Sequence, residues 1–185
     1  ESVNSLDPTA SYVSDDYIGL LDPNEGAWGS TETVDLGIGR FTVQTLEKAN
    51  HIADKIIYYA TAKSTMRDWR NNVIFIGDDE DSKTHMQQAN QLAQILENNY
   101  EDYNIDKIML DAYQQISTPG GQRYPDVNKA INDKVNSGAL IINYTGHGGE
   151  VGWAHERILD IATINEWTNI DNLPLFVTAT CEFSR

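Results

Sequence analysis

The sequence predicts an α/β fold with a mostly parallel sheet, and two observations carry this prediction. Short, almost uniformly apolar runs alternate with amphipathic segments beyond the first 40 residues, which is typical of parallel strands covered by helices on both faces. Breaks at Ser137-Gly138 and from Asp171 to Pro174 precede the last two apolar runs. With 185 residues the chain is long enough for one well-packed domain.

The predicted elements follow in chain order. Apolar residues at helical spacing predict a first helix over residues 43–62, with Thr42 and Thr45 as capping residues. Apolar runs predict strands at residues 72–77, 106–111, 139–144 and 175–180, and amphipathic segments predict helices at 84–99 and 126–136. Residues 1–40 are expected to be a loop-rich segment of the same domain, with one short strand at 34–38, and residues 41–185 its core.

Composition excludes several classes of protein. Lys and Arg number 13 against 28 Asp and Glu, and the resulting net charge of −15 would repel nucleic acid and anionic lipid alike. The longest apolar runs are far shorter than the roughly 20 residues that cross a bilayer, so no transmembrane segment is expected. A single cysteine, Cys181, permits no internal disulfide and is either a small buried side chain or a functional thiol.

Polar side chains follow three of the predicted strands. An acidic run at residues 78–80 follows the first strand, His147 follows the third between two glycines, and Cys181 follows the last. Functional groups collect where the carboxyl ends of parallel strands meet the loops. We therefore expect these side chains to converge at one edge of the sheet.

Cys181 and His147 together suit acyl transfer. A thiol with an ordinary pKa near about 8.5 becomes nucleophilic beside an imidazole, which can then protonate the leaving amine. The backbone N–H groups of Gly148 and Cys181 are the expected oxyanion-hole donors, and one such donor is worth about 3 kcal/mol in the transition state. This chemistry requires neither a metal ion nor a cofactor.

Two segments resemble a known family. NYTGHGGEVGW at residues 143–153 and LPLFVTATC at residues 173–181 are similar to the catalytic His and Cys segments of the gingipains, which are caspase-clan cysteine peptidases. The resemblance implies a caspase-like three-layer sandwich, incomplete at both ends and truncated after the nucleophile. It also implies Cys181 as nucleophile, His147 as base, Gly148 and Cys181 as the oxyanion hole, and Glu80 or Asp79 as the acid that orients the histidine.

The substrate pocket departs from that family at one position. Arginine-specific gingipains carry an acidic residue at the start of the second helix, where this sequence has His85. A neutral imidazole does not replace a carboxylate as partner to guanidinium, so arginine specificity is not expected. Trp153, within the matching motif, is the second expected pocket residue.

Other segments resemble one branch of the family. SYVSDDYIGLLD and TATCEF are similar to PorU-type proteins, the signal peptidases and sortases of type IX secretion. The resemblance implies secreted cargo proteins as substrates and an amine on surface lipopolysaccharide as a possible acyl acceptor. It also implies a secreted or outer-membrane-associated protein of a Gram-negative bacterium. The alternative is a non-catalytic gingipain-like scaffold in a secretion or surface complex.

Two parts of the sequence contain candidate metal ligands. A site built from Asp78, His147, His155 and Cys181 lacks any established ligand spacing, so none is predicted there. Asp22, Asn24 and Gly26 echo the start of an EF-hand loop, but position twelve is Thr33 where a bidentate Glu is needed. Solvated acid is the favoured interpretation of this loop, although resemblance to the gingipains implies that a structural calcium ion is possible.

Overall fold

The computed structural model describes residues 15–27, 31–181 and 183. Its chain forms two compact units, residues 1–55 and residues 56–185. The boundary predicted after residue 40 stays a prediction. The second unit contains every predicted catalytic residue.

Loops make up most of the described part of the first unit, residues 15–27 and 31–55. A 3-10 helix spans Asp16–Gly19, and the Arg40 guanidinium pairs with the Asp15 carboxylate. The strand predicted at residues 34–38 is wrong, because this stretch forms a bend instead of a ladder. Val34 and Leu36 are 42% and 46% exposed, so no buried face specifies strand pairing there.

The regular elements, in chain order, are nine strands and four α-helices among the described residues. The helices are α1 Leu46–Thr61, α2 Thr84–Asn99, α3 Pro125–Ser137 and α4 Ile161–Asn165. The strands are β1 Asn72–Gly77, β2 Asn104–Met109, β3 Ile116–Thr118, β4 Gly121–Arg123, β5 Ile141–Thr145, β6 Gly148–Gly149, β7 Gly152–Trp153, β8 Leu159–Asp160 and β9 Leu175–Ala179. Further 3-10 turns span Lys63–Thr65, Asp68–Asn71, Asp81–Lys83, Leu110–Ala112 and Ile170–Asn172.

The central sheet has four strands in the order β2-β1-β5-β9, and all neighbouring pairs are parallel. Alternating side chains of β1 point to opposite faces. Val73 and Phe75 pack with Ala93 of α2, whereas Ile74 and Ile76 belong to the larger core that includes α3. The α/β prediction of a mostly parallel sheet between helices is therefore confirmed.

Burial on both faces explains why the β1 sequence is apolar throughout. Its residues 73–76 are at most 4% exposed, and burying each large aliphatic side chain stabilises the fold by about 1.5–3 kcal/mol. β1 and α2 have the bounds that the sequence predicts. β2 begins and ends two residues earlier than predicted, because the backbone turns into a 3-10 helix at Leu110–Ala112.

Two small antiparallel sheets were not predicted. The β3–β4 hairpin closes around Pro119 and Gly120, and strands this short carry no period-2 pattern from which to recognise them. The second sheet, in the order β6-β7-β8, follows β5 closely. His147 lies between β5 and β6, and His155 lies between β7 and β8.

The strand order places a crevice at the head of the sheet. From β1 the chain passes to β2 on one side and then returns to β5 on the other, so the order reverses between β1 and β5. Ligands bind at such a reversal, outside the carboxyl ends of the strands. Residues 78–81 follow β1 there and residues 146–148 follow β5.

Among the helices of the described residues, none has both the length and the apolar character that crossing a membrane requires.

Candidate active site

His147 and Cys181 occupy matching positions on neighbouring strands. Thr145, the last residue of β5, is in register with Ala179, the last residue of β9. Gly146 N donates to Ala179 O at 3.2 Å, which continues the pairing beyond the strands. His147 and Cys181 each lie two residues past that last pair, and Cys181 is exposed. Parallel neighbours are about 4.8 Å apart, so the two backbones leave the sheet side by side at the edge of the crevice.

The His147 backbone is fixed by three hydrogen bonds. Its N–H donates to Asp78 Oδ2 at 2.9 Å, and its carbonyl accepts from Tyr144 Oη at 2.6 Å and Ala154 N at 2.7 Å. Burial raises the pKa of the Tyr144 hydroxyl, which therefore remains a neutral donor. These contacts preorganise the loop that presents the imidazole.

The imidazole lies among acidic and imidazole side chains. His147 Nε2 is 3.1 Å from Asp81 Oδ2 and 3.8 Å from Glu80 Oε2. The His85 ring meets the His147 ring edge-on at 5.1 Å, and the His155 ring stacks on it at 5.3 Å. Since Nε2 faces the carboxylates, Nδ1 is the nitrogen left to serve a nucleophile.

Asp81 lies in a strained turn. Asp81, Ser82 and Lys83 have φ values of 51°, 58° and 69°, and each non-glycine residue in the left-handed region costs roughly 1–2 kcal/mol. Thr84 Oγ1 donates to Asp81 O at 2.7 Å, and Lys83 Nζ pairs with Asp111 at 2.9 Å. Strain retained in this way at a crevice is typical of functional sites.

The two acids predicted to orient His147 have different surroundings. Asp79 Oδ2 accepts from Tyr124 Oη at 2.7 Å, and burial together with this contact raises the pKa of Tyr124. Glu80 Oε2 is closer to His155 Nδ1, at 2.9 Å, than to His147. Asp79 thus engages a tyrosine, and Glu80 bridges two histidines.

Asp81 was missed by the sequence reasoning, which considered the acidic run only as far as Glu80. Its carboxylate is nevertheless nearer to His147 Nε2 than that of Glu80. The sequence carried no helical signal for this contact, because α2 begins only at Thr84 and residues 81–83 are left-handed, although Asp81 Oδ2 and His85 Nε2 lie 3.5 Å apart. Asp78 is fully buried and accepts from the backbone of both His147 and Glu80.

Gly148 lies against the loop that carries Cys181. Its pairing with Trp153 is of the non-hydrogen-bonded type, because the bond from Ala154 N to His147 O flanks it, and so its N–H points away from β7. A Cβ at Gly148 would overlap Thr180 Oγ1 and lie 3.0 Å from Cys181 O. The absence of a side chain lets this backbone approach the cysteine. The roles of the Gly148 and Cys181 amides stay predictions.

The two predicted pocket residues differ in position, His85 beside the His147 ring and Trp153 buried beneath the loop that carries it. His85 is the second residue of α2, beside His147, and its Nε2 is out of contact with solvent and has no hydrogen-bond partner in the described chain. Trp153 is fully buried and stacks on Tyr144 at 4.3 Å. Its observed position is beneath the histidine loop, and its role as a pocket wall stays a prediction.

Acidic groups dominate the local electrostatics. Burial, with help from the charges of Glu80 and Asp78, raises the pKa of Glu156, which is 3% exposed and accepts from Gln115 Nε2 at 2.8 Å. The hydrogen bond that His155 Nδ1 donates to the Glu80 carboxylate raises the pKa of His155. A cationic His155 is therefore favoured beside His147.

Two groups of side chains have metal-binding geometry. Asp81, His85 and His147 offer ligand atoms within 4.8 Å of one another, a set that differs from the four residues weighed from sequence. In the first unit, Asp22, Glu25 and Asp35 form a second such group, whereas Asn24, named from the sequence, is not in it. The expected calcium ion stays a prediction.

A parallel sheet between helices, with a histidine and a cysteine at matching positions past adjacent strands, defines a caspase-like α/β protein. The chain belongs to peptidase family C25, whose sequence model matches residues 3–185. This is the gingipain family that the sequence motifs indicate.

Among similar proteins, Gingipain R2 and Gingipain R1 of Porphyromonas gingivalis are each 27% identical over 150 residues, or 78% of this chain. The chain spans only 18% and 14% of their lengths. The crystal structure of the Arg-specific cysteine proteinase gingipain R matches with a TM-score of 0.62 and 25% identity, covering 91% of this chain and 35% of that one. A complex of the RgpB pro- and mature domains matches at a TM-score of 0.52 and 25% identity, covering 78% and 33%.

Proposed function

We propose that the protein is a cysteine endopeptidase in which Cys181 is the nucleophile and His147 the general base and acid. The single observation that carries the proposal is the matched position of these two residues, each two places beyond the paired strand ends at Thr145 and Ala179. Membership of a family of cysteine peptidases supports it.

The reaction proceeds by two acyl transfers. His147 Nδ1 takes the proton of the Cys181 thiol, and Sγ attacks the scissile carbonyl to form a tetrahedral oxyanion. The Gly148 and Cys181 amides donate to this oxyanion. When it collapses, the C–N bond breaks, His147 gives its proton to the leaving amine, and a thioester remains. Water or another amine then attacks the thioester, and the thiol is regenerated.

The carboxylates beside Nε2 fix the histidine tautomer. A proton on Nε2 donates toward Asp81, 3.1 Å away, which leaves the Nδ1 lone pair for the thiol. The negative charges of Asp81 and Glu80 also stabilise the imidazolium that forms during the reaction. The Asp78 and Tyr144 hydrogen bonds keep the loop from turning the ring away.

The finer proposal is a PorU-type role, in which secreted cargo proteins lose a C-terminal sorting domain and the acyl-enzyme passes to an amine of surface lipopolysaccharide. Its supports are the segments SYVSDDYIGLLD and TATCEF, and His85 in place of an acidic pocket residue. The role places the protein outside the cytoplasm, in the secreted or outer-membrane-associated fraction.

Product analysis with an added amine tests this proposal. The intact protein is incubated with a cargo protein and an amine acceptor, and the products are identified by mass spectrometry. We expect cleaved cargo, part of it bearing the amine, and neither product from Cys181→Ala. Cleaved cargo without adduct would restrict the function to hydrolysis. Processing that persists in Cys181→Ala would favour the non-catalytic scaffold and overturn the peptidase.

A further inference from the structure

We propose that Asp81, His85 and His147 form a binding site for Zn²⁺, and that the bound ion withholds His147 from its role in proton transfer. The first observation is geometric. His147 Nε2 and His85 Nε2 lie 3.1 Å and 3.5 Å from the same oxygen, Asp81 Oδ2. One ligand atom from each of the three residues lies within 4.8 Å of the other two.

These separations match the coordination shell of zinc. Bonds of about 2.0–2.2 Å to His nitrogen and carboxylate oxygen, in tetrahedral geometry, place neighbouring ligand atoms about 3.3–3.6 Å apart. The 3.5 Å distance lies within that interval, and the 3.1 Å distance is slightly below it. Closing the shell therefore needs side-chain adjustments of a few tenths of an ångström for this pair of contacts and no backbone rearrangement.

The second observation is the state of the His85 imidazole. Its Nε2 has no contact with solvent and makes no hydrogen bond to any described residue, although the Asp81 carboxylate is near. A buried polar atom left without a partner is costly. A metal ion at this point would give Nε2 a partner, and the edge-on packing of the His85 and His147 rings, at 88°, keeps both nitrogens near the same space.

All three residues are held by rigid elements. His147 is fixed through its backbone N–H and carbonyl, Asp81 by the left-handed turn that Thr84 closes, and His85 by the first turn of α2. Preorganised ligands bind metal tightly because little ordering remains to be done. Glu80, 3.8 Å from His147 Nε2, or a water molecule can complete four ligands.

The donor set selects the kind of ion. Two imidazoles and one carboxylate suit Zn²⁺ and similar transition metals, whereas Ca²⁺ and Mg²⁺ prefer oxygen ligands alone. Coordination through Nε2 would replace the hydrogen bond to Asp81 and keep the ring proton on Nδ1, which then has no lone pair to accept the thiol proton. The inhibitory consequence rests on the proposed peptidase function, but zinc binding itself does not.

Metal binding is tested with the intact protein carrying Cys181→Ala, so that the thiolate cannot serve as a ligand. Competition with a chromophoric chelator gives the zinc stoichiometry and affinity, and Co²⁺ substitution reports the ligand geometry by its visible absorption. We expect one tightly bound ion with a tetrahedral Co²⁺ spectrum. Adding His85→Gln should weaken zinc binding at least tenfold, while the matched control His51→Gln on α1 should leave it unchanged.

Two results would overturn the site. Zinc affinity could be insensitive to His85→Gln while circular dichroism shows a folded protein, or His155→Gln could remove binding that His85→Gln leaves intact. The inhibitory part has its own readout, which is the alkylation rate of Cys181 in protein with the native cysteine. Zinc should slow alkylation in that protein and not in His85→Gln. Unchanged alkylation at saturating zinc would refute the inhibition and leave the metal site standing.

Discussion

His147 Nε2 lies 3.1 Å from Asp81 Oδ2, closer than to Glu80 Oε2 at 3.8 Å. Of these two carboxylates, the one nearer to the proposed general base is thus one that the sequence motifs did not indicate. Asp81 reaches this position from a turn of three consecutive left-handed residues. The turn thus places this carboxylate beside the histidine ring.

Asp81→Asn should lower kcat for peptide cleavage by about tenfold, because the amide no longer stabilises the imidazolium or fixes its tautomer. The effect is modest since the Asp81 side chain is 63% exposed and solvent screens its charge. Glu80→Gln is the matched comparison and should cost less. A larger loss for Glu80→Gln than for Asp81→Asn would show that Glu80 is the orienting acid.

Gly148→Ala should abolish most activity while leaving the protein folded. The added Cβ would overlap Thr180 Oγ1 and lie 3.2 Å from Thr180 Cγ2, which displaces the cysteine loop at a cost of about 1–3 kcal/mol. Gly149→Ala is the control, because nothing lies within 4 Å of a Cβ there. Equal peptidase activity of the two variants would mean that Gly148 does not position the site.

Glu156→Gln should change how stability depends on pH. Burial holds the pKa of Glu156 above its usual value, so the folded state binds this proton more tightly than the unfolded state. The resulting stabilisation is full below about pH 4.5, the ordinary pKa, and is lost as pH rises through the folded pKa. As pH rises over this interval, wild type should lose stability that Glu156→Gln does not lose. The free energy of unfolding of Glu156→Gln should therefore increase relative to that of wild type.

Denaturant unfolding at a series of pH values measures this difference. Glu150→Gln, at an exposed residue in the turn between β6 and β7, serves as the control and should follow wild type. A constant difference between Glu156→Gln and wild type from acid to neutral pH would contradict the assignment.

His155 should titrate above its ordinary pKa of 6.5, because Glu80 hydrogen-bonds to its Nδ1 at 2.9 Å. Removing the carboxylate charge with Glu80→Gln should move the pKa of His155 back toward that value. The histidine ring proton signals in NMR follow the titration directly. Identical titration curves in wild type and Glu80→Gln would show that the ion pair does not form in solution.

The central sheet, and the end of it that carries the site, could be predicted from the sequence. An apolar run predicted β1 and an amphipathic segment predicted α2, both with their observed bounds. β1 was recognisable because residues 73–76 are buried on both faces and are therefore all apolar. The strand at 34–38 failed because its apolar residues remain exposed. The small sheets escaped because two- and three-residue strands are specified by turns and tertiary contacts.

The site was accessible from sequence only in part. Glycines around His147 and the position of Cys181 after an apolar run placed both at strand ends, and β5–β9 pairing aligns them. Which acid faces the imidazole depends on a left-handed turn at Asp81, Ser82 and Lys83, none of which is glycine, the residue that adopts this conformation most readily. The contact between His85 and His147 likewise depends on how α2 packs on the sheet.

The most direct test of the central claim is the alkylation rate of Cys181 by iodoacetamide at pH 6, compared between the intact wild-type protein and His147→Ala. An activated thiolate reacts at this pH, whereas a thiol with its ordinary pKa near about 8.5 hardly does. We predict rapid, stoichiometric labelling of wild type and a rate lower by at least tenfold in His147→Ala. Equally slow labelling of both proteins would contradict a Cys181–His147 pair.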